Sequence, residues 1–343
     1  MKVKKWLQAL VLFVTLNLAA FPSSAAVIDQ PSEIAPLIQD GKYRPGEFAW
    51  VRGAYDGASP VERVRYLRIA SWVTECLQRA KAELKADLAK RGYPTAAVEN
   101  LAVGPLLCRQ FAIQPFLGDR KDLRAFVTAS ARAALVSDGF LGAVSLVNST
   151  ARVGVSTQGE FLRAQTLGEQ VLRQATSWGS GPMNDAPRLT DDERVVVLAR
   201  ISVAIAERDY ENTELLKSIV EQGGWPKISE FGAGGASAAW LLAQHADADP
   251  IFQLEALKKM EPLVATGEAS KQNYAYLYDR VFLKLTGRQR YGTQASCSKG
   301  VRGPQPLEDS ARVDALRHEI GLSSEAEYLE QMNGTLGPCP PQP

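Results

Sequence analysis

Helix-start and helix-stop signals recur along this chain with almost no alternating apolar and polar runs between them, and this pattern constrains the fold most. Ser59, Pro60 and Glu62 form a capping box with proline at the first helical position, and Gly92 supplies the stop. Thr190 to Glu193 repeat that logic. Asp249 stands before Pro250 as a cap, and Ser270 opens another periodic segment that Gly287 ends. The spacing predicts helices over 59–92, 122–148, 158–177, 190–205 with a continuation over 212–220, 233–245, 250–265, 271–285, 308–320 and 325–332. In the first of these, Val61, Val64, Leu67, Trp72, Val73, Cys76 and Leu77 trace an apolar stripe, with the Arg and Lys residues as its solvated face.

The expected fold is therefore all-α: an N-terminal helical bundle over 27–178, a linker over 179–189, and a second helical domain over 190–343 with a polar, loop-rich region. Gly179, Gly181, Pro182 and Pro187 mark the linker. Gly223, Gly224, Trp225 and Pro226 form a later stop. Residues 41–60, with Tyr43, Phe48, Trp50 and Tyr55 among glycines, read as either a short hairpin or an aromatic strap, and 288–303 reads as a loop.

Residues 1–26 have the form of a secretory signal peptide: Lys2, Lys4 and Lys5, an apolar stretch from Trp6 to Phe21, then small residues ending at Ala26. The expected mature protein is periplasmic or secreted, with no membrane span after cleavage; 140–147 is the longest later apolar run. The whole chain has 39 Lys and Arg against 38 Asp and Glu, and losing the three lysines tilts it slightly acidic. That balance argues against nucleic acid as a partner, since phosphate binding needs a basic excess. Export brings Cys76, Cys108, Cys297 and Cys339 into an oxidising compartment, where an even number favours disulfides. Of the three pairings, Cys76 with Cys108 and Cys297 with Cys339 keeps each bond within one expected domain. The competing reading makes Cys76 or Cys108 a small buried hydrophobe.

Candidate chemistry concentrates between Gly224 and Gln294. The order runs Gly224-Trp225-Pro226, then Gln244-His245-Ala246-Asp247, then Ala275-Tyr276-Leu277 followed by Asp279-Arg280, then Tyr291-Gly292-Thr293-Gln294. These blocks resemble those of an uncharacterised bacterial domain family, over roughly 190–335. The resemblance implies a domain boundary and a set of recurring polar positions, and it implies no reaction.

Read as chemistry, His245 at a helix end is a candidate acid/base, because imidazole exchanges protons near neutral pH. Asp247 or Asp249 would orient it. Arg280 would clamp an anion through its planar fork of donors, and Gln244, Gln289, Tyr291, Thr293 and Gln294 would contact substrate. The opposing reading makes His245 and Asp249 helix caps, Arg280 half of a salt bridge to Asp247 or Asp249, Asp279 structural, and the 289–294 loop a self-satisfied turn. Gly232 to Gly235 could cradle an anion, but close helix packing explains those glycines better. No CxxC occurs, and two histidines with no paired spacing give no metal site. No cofactor is expected. Two classes of function follow: an exported hydrolase or transferase built on His245 and Arg280, or a non-catalytic envelope scaffold or binder. A binder would meet glycan or peptidoglycan on Tyr274, Tyr276, Tyr278 and Tyr291. The ligand is an unknown small molecule or envelope component.

Overall fold

Local side-chain chemistry starts most of the helices. The computed structural model describes residues 30–118, 121–180, 187–337 and 339. The expected signal peptide lies outside these residues, as do 181–186 of the expected linker. A two-residue hairpin, β1 (Ile38–Gln39) with β2 (Lys42–Tyr43), precedes α1 (Pro60–Lys90), α2 (Leu106–Ala112), α3 (Leu123–Ala151) and α4 (Gln158–Gln174). Then follow α5 (Asp191–Gly223), α6 (Ile228–His245), α7 (Pro250–Ala265) and α8 (Lys271–Thr286). A second antiparallel hairpin, β3 (Ala295–Ser298) with β4 (Val301–Pro304), leads to α9 (Val313–Glu319) and α10 (Glu325–Leu336). The described chain is predominantly helical, as its sequence predicts. Capping boxes open α1 at Ser59, α4 at Thr157, α5 at Thr190 and α10 at Ser324.

Several elements differ from expectation, among them α2, which no expected helix covers, and α9, which starts at Val313 rather than at 308. The α1 stripe is buried only at Trp72, Val73 and Cys76, whereas Val61, Val64 and Leu67 face solvent. Other elements pack against the middle of the helix but not against that face of its first two turns. α5 runs unbroken through 206–211, because Ala206 to Glu211 hold no helix breaker and Glu207 and Asp209 find cationic partners on Lys42 and Arg173. α6 begins at Ile228, ahead of a break at Gly232, whose φ of 70° is in the left-handed region. Within 288–303, Ala295–Ser298 pairs with Val301–Pro304 around Lys299 and Gly300, both at positive φ; the strands carry no alternating apolar signal.

Both expected disulfides form, Cys76–Cys108 tying α1 to α2 and Cys297–Cys339 tying the second hairpin to the C-terminal tail. Tyr43, Phe48, Trp50 and Tyr55 are all buried, with the Trp50 indole N–H donating to the Tyr43 hydroxyl at 2.9 Å; the aromatic segment is a strap following a short hairpin.

Helices from both sides of 179–189 share one core. α4 packs on α6, and α3 and α2 on α5. Leu84, Leu88 and Leu162 join Leu216, Leu242 and Leu257 in a single apolar cluster, so the described residues on both sides of the expected linker share one core. The approach of α4 to α6 depends on glycine. A Cβ at Gly159 would collide with the Phe231 carbonyl, and one at Gly235 would lie 2.5 Å from Gly159 Cα. By length and composition α3 could cross a membrane, unlike the shorter run expected there. It packs on α4 and α5, and Phe126, Ala129, Ala133 and Val144 are among its buried residues.

Candidate functional site

The last residue of α6, His245, meets a carboxylate that sequence reasoning missed. Glu169 of α4 is fully buried and contacts His245 Nδ1. Its other partners are Arg173 one turn along α4, at 2.9 Å, and the Asn212 amide of α5, at 3.3 Å. Arg173 also reaches Asp209 of α5 at 2.5 Å. Glu169 holds the ring through Nδ1 and leaves Nε2 without a hydrogen-bond partner among the described residues. Neither Asp247 nor Asp249, one of which was expected to orient the ring, makes a hydrogen bond or ion pair with it.

His245 lines a cavity of about 230 Å³ together with Arg109, Asp209, Tyr210, Thr213, Lys217 and Asp249, among others. Arg109 Nε donates to the Gly104 carbonyl at 3.0 Å, and its guanidinium has no carboxylate partner among the described residues. Lys217 is occupied by Asp249 at 2.6 Å and Glu214 at 2.8 Å. Burial pushes the Asp209 carboxyl up to about 6, against the pull of Arg173 and with a further push from Glu169.

That shift carries a sign. In the unfolded chain the carboxyl ionises near 3.8, so between 3.8 and about 6 the folded state binds the extra proton. Stability from this group is present at low pH and is lost as pH rises through that window. The loss is on the order of 3 kcal/mol, about 1.4 kcal/mol per pH unit. Asp209→Asn is expected to remove this slope. Urea denaturation at pH 4.5 and 7 measures it, and equal slopes in wild type and variant would refute the assignment.

Of the other expected site residues, Asp247 and Asp249 also line this cavity but are engaged by other partners, and the remainder do not line it. Arg280 grips Asp247 with two donors, Nε at 2.8 Å, and so forms the salt bridge that was its alternative reading rather than an anion clamp. Lys284 adds a second cation to Asp247 and donates to Gln253 at 2.6 Å. Burial raises the Asp247 carboxyl's pKa, but Lys284 and Arg280 outweigh it and hold it well below the usual carboxylate range. Burial also pulls the Lys284 ammonium down to about 8, opposed by Asp247. Fully buried Gln253 ties this cluster to the end of α6, donating to the Ala243 and Gln244 carbonyls at 2.8 and 3.2 Å. Asp249 accepts from the Phe252 N–H at 2.9 Å, as a helix cap does.

The 289–294 loop is saturated from within. Asp279, fully buried on α8, accepts from the backbone N–H groups of Arg290, Tyr291 and Thr293 and from the Thr293 hydroxyl, at 2.7 to 2.9 Å. Burial pushes its carboxyl up against those donors. Gln289 spans the loop, donating to the Gln294 and Gln305 carbonyls and accepting the Gln294 N–H. Gln289, Tyr291 and Thr293 are buried, and Gln294 spends its side chain on Arg280 and Thr293. The loop is a lock and offers no free row of substrate contacts. Gln244 is buried in α6 with its side-chain amide oxygen Oε1 unpartnered. Tyr278 and Tyr291 are core rings rather than an open stacking surface, and Tyr278 lies 4.2 Å from Phe282 between ring centroids.

The polar cage of Asp279, the Asp247 cluster and His245 all fall within one stretch of recognisable sequence. Residues 188–338 match a family of unknown function (DUF6624). This is the segment in which the GWP, QHAD, AYL-DR and YGTQ blocks occur, and the match runs from just before α5 to the end of α10. No curated protein and no solved structure matches the chain. Within the DUF6624 segment lie Asp209, Asn212 and His245, whereas Glu169, Arg173 and Arg109 come from the helices before it. One signal could have found Glu169: it stands seven residues after Leu162 and three before Leu172, a charge inside an apolar helical stripe. Arg109 and Asp209 carry no such signal. Among the described residues there is no cluster of metal-ligating side chains.

Proposed function

We propose that the cavity beside His245 is an acid/base site and that the protein is an exported hydrolase or transferase. His245 Nε2 exchanges the proton, Glu169 fixes the ring through Nδ1, and Asp209 supplies a carboxyl that changes charge near neutral pH. Arg109 takes the anion-binding part first assigned to Arg280. The observation that carries this reading is the buried Glu169 held on His245 at the edge of a cavity, with Asp209 beside it. A histidine fixed by a carboxylate contributes about 10²–10⁴-fold to proton-transfer steps.

The two disulfides fit an oxidising compartment, and with the N-terminal charge and apolar pattern they support a periplasmic or secreted location. A scaffold role is supported for the Asp279 loop, where every expected substrate contact is spent internally.

Thermal-shift screening against muropeptides, sugars, nucleotides and organic acids tests the proposal, with His245→Asn and Arg109→Gln beside wild type. A ligand that raises the wild-type midpoint, fails to raise that of either folded variant, and is turned over at least 100-fold more slowly by His245→Asn would support it. Turnover or binding that survives both substitutions would end it.

A further inference from the structure

A second cavity, of about 520 Å³, lies between the α3–α4 turn, α4 and α6, away from His245. Its existence follows from the glycine contact of the two helices, which places small residues at their crossing and leaves larger ones to form a groove. Val153, Leu167, Trp240 and Leu241 supply apolar wall, and Val153 and Leu167 are 80% and 52% exposed. Apolar side chains gathered at an open groove gain by covering one another with ligand.

Two charged residues line it. Glu160 spends its carboxylate on the Ser156 and Thr157 N–H groups and the Ser156 hydroxyl. Arg163 has no hydrogen-bond or ion-pair acceptor among the described residues for its guanidinium. Its stem lies across Gly234, where a Cβ would come within 2.9 Å of Arg163 Cδ. The Trp240 indole N–H is buried and unpartnered as well. The groove thus joins apolar walls to hydrogen-bond donors that lack acceptors, the complement of an apolar chain ending in an anion.

We propose that this groove binds a single-chain amphiphile. Its carboxylate or phosphate head pairs with Arg163, and its chain lies along Val153, Leu167 and Leu241. The site is separate from the acid/base cavity and stands without it.

Isothermal titration of the purified full chain with dodecanoate and with dodecyl phosphate, below their micelle concentrations, tests the proposal. Dodecyl maltoside and dodecyltrimethylammonium serve as neutral and cationic controls. The expected result is saturable one-site binding of an anionic amphiphile, at least tenfold tighter than either control. The tighter of the two anionic arms separates a fatty-acid source from a phosphate ester. Arg163→Gln should weaken binding at least tenfold with no change in melting midpoint, Arg163→Lys should recover part of it, and Leu167→Asp should weaken it through the wall. No binding of either anion, equal binding of the controls, or unchanged affinity in Arg163→Gln would overturn the proposal.

Discussion

Asp279→Ala is expected to destabilise the chain by about 3–5 kcal/mol, one of the two largest losses predicted for a single substitution. The carboxylate is the common acceptor for three backbone N–H groups and one hydroxyl in the 290–293 turn. Each buried donor left without an acceptor costs about 1–3 kcal/mol. Asp279 is fully buried, and the turn cannot re-pair without unpacking Tyr291 from Tyr278. Asp279→Asn should lose nearly as much, since an amide presents one donor face to a ring of donors. Urea denaturation at constant m-value measures both. A loss below 1 kcal/mol for Asp279→Ala would show that the turn holds itself.

Glu169→Gln is expected to cost about 3 kcal/mol and to disturb the acid/base cavity as well. The side chain keeps its size, so packing against Asn212 survives, but Arg173 loses one of its two carboxylates inside the protein. Removing one member of a buried ion pair leaves the other charge uncompensated, with typical losses of 3–5 kcal/mol. Arg173 retains Asp209, which argues for the lower end of that range. His245→Asn should cost much less, because the ring is at the rim with 16% of its side chain exposed while Glu169 has 1%. The contrast is diagnostic. Denaturant melts of the two variants, with nitrogen-15 chemical shifts of the His245 ring in Glu169→Gln, separate a charge that holds the fold from one that orients an imidazole. Equal, small losses in both variants and an unchanged ring tautomer would remove Glu169 from the site.

Much of the helical order was legible because it is set over three or four residues. The Ser59 and Thr190 capping boxes, the Asp249 and Ser270 caps and the Gly287 stop each act on neighbours along the chain. The same locality explains where reading failed. Alternation and breakers say nothing about which face of α1 another element covers, so Val61, Val64 and Leu67 went to solvent against their pattern. Helical stretches were expected over 190–205 and 212–220, yet α5 runs on between them, and partners on β2 and α4 satisfy the charges of Glu207 and Asp209.

The candidate site was legible by residue type and not by role. His245, Asp247, Asp249, Arg280 and the 289–294 polar residues stand out in sequence, and the structure distributes them among an imidazole at a cavity, a salt-bridged junction, a helix cap and a locked turn. His245 and Glu169 are 76 positions apart, and Arg280 and Asp247 are 33 apart. Contacts at such separations depend on which helices cross, and one residue's spacing carries no record of that. The mostly helical character, the caps and the chemical inventory are already implied by the residues themselves, since they follow from backbone hydrogen bonding and side-chain type over a single turn. Tertiary structure alone decided that Glu169 rather than Asp247 meets the histidine, because glycines at the crossing of α4 and α6 bring those two helices close enough for a buried carboxylate to reach the end of α6.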